Sequence, residues 1–157
     1  MQLSLNLEQL SAFLEGFHLL TGLRIAVFDA ACREILAYPP GLEDFCALMH
    51  ADPEQVKRCD ACDSYAFSTC RKSGKLYVYQ CHTGLTEAVC PLKDDGILIG
   101  YLMLGQAADA PGKQKLLERL EASGASTEVK EAARKLETKS REEILAAVKI
   151  LEACTYY

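Results

Sequence analysis

The strand-like segments of this chain fall into two groups, and each group contains a tight turn between neighbouring strands. Asp94-Asp95-Gly96 is the clearest of these turns and is typical of a hairpin. Antiparallel strands can be joined by such short turns, whereas parallel strands need a long crossover. Runs rich in Val, Ile, Tyr and Phe predict five strands, at Leu23–Asp29, Glu34–Tyr38, Lys75–Cys81, Ala88–Lys93 and Ile97–Leu104. We therefore expect one antiparallel sheet of about five strands.

Helical patterns fill most of the remaining chain. Asn6 is a favourable cap before apolar residues spaced by three and four, and Asp52-Pro53 is a strong helix start. The predicted helices begin at Leu7 and then span Leu42–Ala51, Asp52–Lys72, Gly112–Ala122, Thr127–Leu136 and Ser140 onward. The order of elements is helix, two strands, two helices, three strands and helices. This order predicts an α+β, PAS-like fold in which helices flank the antiparallel sheet.

Length and composition limit the class of protein. A chain of 157 residues suits one domain, so we expect a single domain over 1–157, with a core at about 5–106 and a helical C-terminal part at about 112–157. The 17 basic and 22 acidic residues give a net charge of −5, and the scattered basic residues argue against direct nucleic-acid binding. The longest nearly apolar run, Ile97–Gly105, is much shorter than the roughly 20 residues of a spanning helix. The N-terminus has no signal-peptide pattern, so we expect a cytoplasmic protein without a membrane span.

Eight cysteines stand out in a chain of this kind, because the reducing cytoplasm disfavours disulfides. Cys59 and Cys62 lie one turn apart on a helix face, Cys46 lies on the preceding helix, and Cys81-His82 ends a strand. Thiolates with an imidazole suit zinc or an iron–sulfur cluster. Adjacent strand residues point to opposite faces, so Cys81 and His82 can share a metal only if the strand has already turned there. Two alternatives stay open: the cysteines are small apolar core residues, or they are redox-reactive thiols.

Sequence motifs of catalysis are missing. The chain has no G-x-S-x-G, no P-loop and no G-x-G-x-x-G. Cys81 and His82 could be considered a nucleophile and a base, but neighbours on a strand rarely meet and no orienting third group is evident. We therefore expect a protein that is not an enzyme.

A series of short motifs resembles the PocR-type sensory domain. The motifs are Phe45-Cys46-Ala-Leu-Met, Arg58-Cys59, Asp63, Tyr79-Gln-Cys81-His82-Thr-Gly84-Leu85-Thr-Glu87, Pro91-Leu92, Gly96, Ile99-Gly100 and Gly105-Gln106. The resemblance covers nearly the whole chain. Cys46, Cys59, Cys81 and His82 match the pattern of that family, whereas Cys62 departs from it, because a small polar residue is usual there.

This resemblance implies a PAS-like ligand-binding domain of bacterial signalling and transcription-regulatory proteins. Such domains are joined to AraC-type DNA-binding domains, to histidine kinases of two-component systems or to cyclic-dinucleotide enzymes. Their proposed ligands are small hydrocarbon derivatives such as diols and alcohols. We therefore expect an excised or stand-alone sensor whose output domain lies in the full-length protein or in a partner.

Two hypotheses for function follow. In the first, a small molecule enters a pocket between sheet and helices that is bounded by Cys46, Cys59 and Cys81-His82, and the hydroxyls of Tyr77 and Tyr79 bind its polar end. In the second, the chain is a metal or redox sensor, with zinc or an iron–sulfur cluster held by members of the set Cys46, Cys59, Cys62, Cys81 and His82.

The C-terminal helix carries an apolar stripe that must be buried somewhere. Ile144, Val148 and Leu151 recur at steps of four and three, and Leu145 widens this face. We predict a homodimer formed partly by this helix, with the N-terminal helix as a second candidate element of the contact. The alternative is that the stripe closes the core of a single chain.

Overall fold

The sheet organises the whole fold. The computed structural model describes residues 6–155, so the first five and the last two residues of the predicted domain lie outside the described part. Five strands pair in the order β2-β1-β5-β4-β3, and every neighbouring pair is antiparallel. Their bounds are β1 Arg24–Asp29, β2 Glu34–Tyr38, β3 Tyr77–Gln80, β4 Thr86–Asp94 and β5 Ile97–Ala107. The predicted α+β fold with a five-stranded antiparallel sheet is confirmed.

Six helices surround the sheet within residues 6–155. They are α1 Leu7–Thr21, α2 Asp44–His50, α3 Pro53–Ser73, α4 Ala110–Ala122, α5 Thr127–Arg134 and α6 Arg141–Thr155. The predicted caps form: Asn6 accepts from the Gln9 amide, and Ser140 and Glu143 exchange hydrogen bonds at the start of α6. Over the described residues, no helix combines the length and the apolar character needed to cross a bilayer.

One face of the sheet is covered by α1 and α6. Leu14 and Phe17 of α1 share a buried cluster with strand residues such as Ile25 and Leu104. The α6 side of that cluster consists of Ile144, Ala147, Val148 and Leu151. The apolar stripe of the C-terminal helix is therefore buried in the core of the chain. The predicted homodimer would have to form through other residues. Leu145 and Ile150 of α6 remain exposed.

The opposite face is covered by α3, and a second layer lies beyond one end of the sheet. Ala66, Phe67 and Cys70 of α3 pack on Val89 and Tyr101. Beyond them, α2, α4 and α5 form a separate buried cluster around residues that include Phe45, Leu85, Leu116, Ala133 and Leu136. The short helix α2 is thus held between α3 and α5. Its start is tied to the end of β5, because Oε1 of Gln106 accepts from the main-chain N–H of Glu43 at 2.9 Å.

Candidate ligand-binding site

A cavity of about 210 Å³ lies between the α3-covered face of the sheet, α2 and the first half of α3. Residues of β1, β2, β4 and β5 and of the turn that follows β3 also line this space. Its lining residues are Arg24, Phe28, Glu34, Leu42, Phe45, Cys46, Met49, His50, Cys59, Asp63, Cys81, Thr83, Glu87, Met103, Gly105 and Gln106. This cavity is much smaller than the roughly 300–1,000 Å³ typical of pockets for drug-sized ligands.

Aliphatic and aromatic side chains form one part of the cavity wall. Phe28 and Met103 come from the sheet, and Phe45 and Met49 come from α2. Phe45 is completely buried because its other side packs in the α2–α4–α5 cluster. These walls suit the carbon skeleton of a small molecule.

Two acidic side chains, Asp63 and Glu87, meet at another part of the wall, and Tyr79 contacts them without lining the cavity itself. The hydroxyl of Tyr79 donates to Oδ1 of Asp63 at 3.0 Å, and Tyr79 is the cross-strand partner of Glu87. The Oε2 atom of Glu87 is buried and has no hydrogen-bond partner in the described structure. Two acidic side chains and one phenol therefore share a mostly buried space, and one carboxyl oxygen in it is unsatisfied.

Burial raises the pKa values of all three side chains in this cluster. Loss of hydration raises the pKa of Glu87 to about 7, and the neighbouring Asp63 carboxylate acts in the same direction. Burial also raises the pKa of Asp63, although the hydrogen bond from Tyr79 partly offsets this. The pKa of Tyr79 is raised as well, first by burial and then by the charges of Glu87 and Asp63, so the phenol stays protonated. At neutral pH the cluster therefore holds a proton that free carboxylates would have lost.

These shifts predict that the domain loses stability as the pH rises. In the folded protein, Glu87 keeps its proton up to about pH 7. In the unfolded chain it loses the proton near its ordinary pKa of 4.5. Across this window the folded state binds more protons, so the free energy of unfolding falls with pH by about 3 kcal/mol in total from this group. Urea unfolding at pH 5, 6, 7 and 8 measures the slope. We expect Glu87→Gln to flatten it.

A surface carboxylate supplies the control for this experiment. Glu54 on α3 is largely exposed, so Glu54→Gln should reproduce the wild-type slope. If wild type and Glu87→Gln lose stability in parallel between pH 5 and 8, Glu87 does not hold the proton.

Arg24 also lines the cavity, and it forms an ion pair with Glu34. Its guanidinium contacts both carboxylate oxygens of Glu34 at 3.2 Å, and its Nε donates to the carbonyl of Gly41 at 3.2 Å. Only 11% of the Arg24 side chain is exposed. The positive charge of Arg24 still offsets part of the rise in the pKa of Glu87, and that of His50 does the same for Asp63.

Three of the predicted cysteines line the cavity as protonated thiols. They are Cys46, Cys59 and Cys81. Burial raises the pKa of each: well above the ordinary range for Cys46, to about 11 for Cys59, and upward for Cys81. A nucleophilic thiol needs the opposite shift, toward the thiolate at neutral pH.

The chain turns at Cys81-His82, directly after β3. This is the condition under which both side chains could bind one metal. The amide of Gly84 donates to the carbonyl of Cys81 at 2.9 Å, which closes the turn. His82 then brings its Nε2 to 3.2 Å from the sulfur of Cys59, while the sulfur of Cys81 lies 2.9 Å from the hydroxyl of Thr83. Burial and the charge of Arg58 lower the pKa of His82, so the Cys59–His82 pair is neutral at pH 7.

The other predicted site residues lie elsewhere. Tyr77 and Tyr79 do stack, with ring centroids 5.6 Å apart, but neither lines the cavity. His82 lines a separate, more open groove, and Cys62 lies outside the cavity lining. Within residues 6–155, no three His, Cys, Asp or Glu side chains converge as a metal site would require. The zinc or iron–sulfur site predicted from Cys46, Cys59, Cys62, Cys81 and His82 therefore gains no support, and it stays a prediction.

The sequence reasoning did not select the polar residues of the cavity. Arg24, Glu34, Asp63 and Glu87 all line it, yet only Asp63 and Glu87 lie within the motifs quoted above. A sequence signal for Glu87 existed, because it directly precedes the apolar run Ala88-Val89-Cys90 of a predicted strand. An acidic residue at the edge of a buried strand needs a partner, and that partner cannot be read from local spacing.

The fold and the cavity together define a class of protein, an α+β domain with a small internal pocket between sheet and helices. The family model described as the sensory domain found in PocR matches residues 4–157. The chain therefore belongs to the family of PocR sensory domains.

Individual relatives agree with this assignment at the level of sequence. The chain is 31% identical over 106 residues to the regulatory protein PocR of Salmonella typhimurium. The aligned part covers 66% of this chain but only 34% of that protein, so the chain spans about a third of the length of the curated relative. Among solved structures, it resembles the C-terminal domain of a protein from Vibrio cholerae described as a transcriptional regulator. That likeness has a TM-score of 0.37 and 16% identity, and it covers 85% of this chain and 97% of the other.

Proposed function

We propose that this domain senses a small molecule for a signalling or transcription-regulatory protein and that its ligand occupies the cavity between the sheet, α2 and α3. The observation that carries this proposal is the cavity itself. It combines apolar walls with a carboxyl oxygen, Oε2 of Glu87, that has no hydrogen-bond partner in the described structure. Such a combination is what small-molecule sites use to hold a carbon skeleton and to fix its orientation. Membership in the PocR sensory family supports the sensory role.

The size of the cavity limits the ligand to a few carbon and oxygen atoms. About 210 Å³ is enough for a short diol or alcohol, and it is below the range used for drug-sized molecules. The small hydrocarbon derivatives suggested by the family resemblance fit this limit. The protonated thiols at the wall favour binding over thiol catalysis, so we propose that the domain is not an enzyme.

Helix α2 is the element that we expect to respond to the ligand. Cys46 and Met49 of α2 line the cavity and also pack, on their other side, against the cluster formed with α4 and α5. A ligand can signal only if it binds two conformations with different affinities. A small shift of α2 would transmit this difference to α5. The output domain that reads it, whether a histidine kinase, an AraC-type regulator or a cyclic-dinucleotide enzyme, is part of the proposal, as is assembly into a homodimer.

We expect small diols and alcohols to stabilise the purified, metal-free domain. At a concentration one hundred times Kd, a ligand that binds only the folded state adds about 2.7 kcal/mol. For a domain of this size that corresponds to a rise in Tm of roughly 5–10 °C. A thermal-shift screen measures this, and the chemical shifts of the Gly105 and Gln106 amides in ¹H–¹⁵N spectra show whether binding occurs at the cavity.

A cavity-filling variant sharpens this test. Cys46→Met extends a side chain into the cavity and should weaken binding at least about tenfold, because little free volume remains. Cys154→Met makes the same change at an exposed position of α6 and should bind like wild type. If no member of the panel shifts the Gly105 or Gln106 amides, the proposed function is wrong.

A further inference from the structure

One buried carboxyl oxygen at the cavity has no hydrogen-bond partner. Among residues 6–155, the only buried side-chain nitrogen or oxygen without a hydrogen-bond partner is Oε2 of Glu87. Buried polar groups in folded proteins are nearly always satisfied, so an exception at a cavity wall points to a partner that enters from the cavity. Glu87 itself is among the residues that line this space.

The local backbone directs Glu87 toward the cavity. The register between β4 and β5 shifts between Thr86 and Ala88, so Glu87 lies at an irregularity of the ladder. Such irregularities often re-aim a side chain beside a functional site. Gly105 on β5 leaves room for the carboxyl, because a Cβ at that position would lie only 3.3 Å from Oε1 of Glu87.

The charges around the cavity determine what can satisfy this oxygen. Arg24 is engaged by Glu34 and Gly41, and Tyr79 donates its only hydroxyl proton to Asp63. Three acidic side chains, Glu34, Asp63 and Glu87, line the cavity against the two basic residues Arg24 and His50, so the wall disfavours a carboxylate ligand. A molecule with an O–H or N–H group would instead complete the hydrogen bonding of Oε2.

We propose that Glu87 is the specificity-determining residue of this site, and that its Oε2 accepts a hydrogen bond from an O–H or N–H group on a short carbon chain. When the Glu87 carboxyl is ionised, molecules of the same size that only accept hydrogen bonds, and those that carry a carboxylate, bind more weakly. This inference rests on the proposed function, since it assigns the ligand class of the same cavity.

Four probes of nearly equal size test the selection rule in the full chain. Propane-1,2-diol carries neutral donors, 1-aminopropan-2-ol carries a cationic donor, acetone only accepts, and lactate is an anion. Binding is measured at pH 8, where Glu87 is ionised, by titrating each probe and following the Gly105 and Gln106 amides. We expect the two donor probes to bind at least about tenfold more tightly than acetone and lactate.

Two variants link the preference to Glu87. Glu87→Gln replaces the carboxylate with an amide that can donate as well as accept, so the preference for the diol over acetone should fall below about threefold. Glu87→Leu removes the acceptor and should weaken diol binding about tenfold or more. Glu54→Gln, a surface change, should leave all four affinities unchanged. Dispersed ¹H–¹⁵N spectra show that each variant is folded.

The outcomes separate this inference from the proposed function. If acetone binds wild type as tightly as the diol, or if Glu87→Leu binds the diol with wild-type affinity, the role of Glu87 is wrong while the cavity still binds small molecules. If neither these probes nor the wider panel moves the cavity amides, the proposed function fails, and this inference fails with it.

Discussion

Leu151→Glu is expected to unfold the domain at room temperature. Leu151 is 0% exposed and lies in the buried cluster that joins α1 and α6 to the sheet. Loss of a buried leucine costs about 2–5 kcal/mol, and an unpaired carboxyl in its place adds the cost of its own desolvation. Because a domain of this kind is stable by about 5–15 kcal/mol, the sum removes most or all of that stability.

Circular dichroism and urea unfolding measure this effect, and the same helix offers a matched control. Leu145 is 44% exposed, so Leu145→Glu introduces the same charge with little loss of packing and should stay within about 1 kcal/mol of wild type. If Leu151→Glu remains folded, with a free energy of unfolding close to that of wild type, α6 does not pack on the sheet as described.

Light scattering of the same proteins bears on the predicted homodimer. If wild type is a dimer in solution, the contact must involve residues outside the buried stripe, such as the exposed Leu145 and Ile150 of α6 or Leu19 and Leu20 of α1. Leu145→Glu would then separate the subunits without unfolding them. A wild type that is monomeric at high micromolar concentration would contradict the homodimer.

The architecture was readable from the sequence because its signals are local. The Asp94-Asp95-Gly96 turn forms as predicted, with Asp95 and Gly96 at positive φ between β4 and β5. The Ser140–Glu143 capping box sets the start of α6. Element ends were less predictable: β5 continues to Ala107, three residues beyond the predicted end, because pairing with Thr86 extends the ladder. Only the partner strand determines where such a strand stops.

The candidate site was only partly readable, because its chemistry depends on contacts between distant segments. The family motifs pointed to Cys46, Cys59 and Cys81, which do meet at the cavity. Alternation along β3 correctly places Tyr77 and Tyr79 on one face, yet α3 covers that face and engages the Tyr79 hydroxyl through Asp63. Tertiary contacts of this kind leave no periodic signal in the sequence.

The second large effect is expected at Gly100 in the centre of the sheet. Gly100 on β5 pairs with Asp29 on β1 and with Leu92 on β4, so main chain lies on both sides. A Cβ added there would overlap the carbonyl oxygen of Phe28, and it would also come to 3.7 Å from the Cα of Asp29. A flexible side chain could move away from such an overlap, but the main chain of β1 can move only by breaking its ladder with β5.

Gly100→Ala should therefore lower the free energy of unfolding by about 3 kcal/mol or more, at the upper end of the cost of overpacking. In a thermal melt this corresponds to a fall in Tm of roughly 10 °C. Gly16→Ala is the matched control, since Gly16 lies in the middle of α1 with nothing within 4 Å of an added Cβ. There the same substitution should raise stability by about 1 kcal/mol, because alanine favours the helix. If Gly100→Ala melts within about 1 °C of wild type, β1 and β5 do not approach each other at Gly100 as closely as the pairing of this sheet requires.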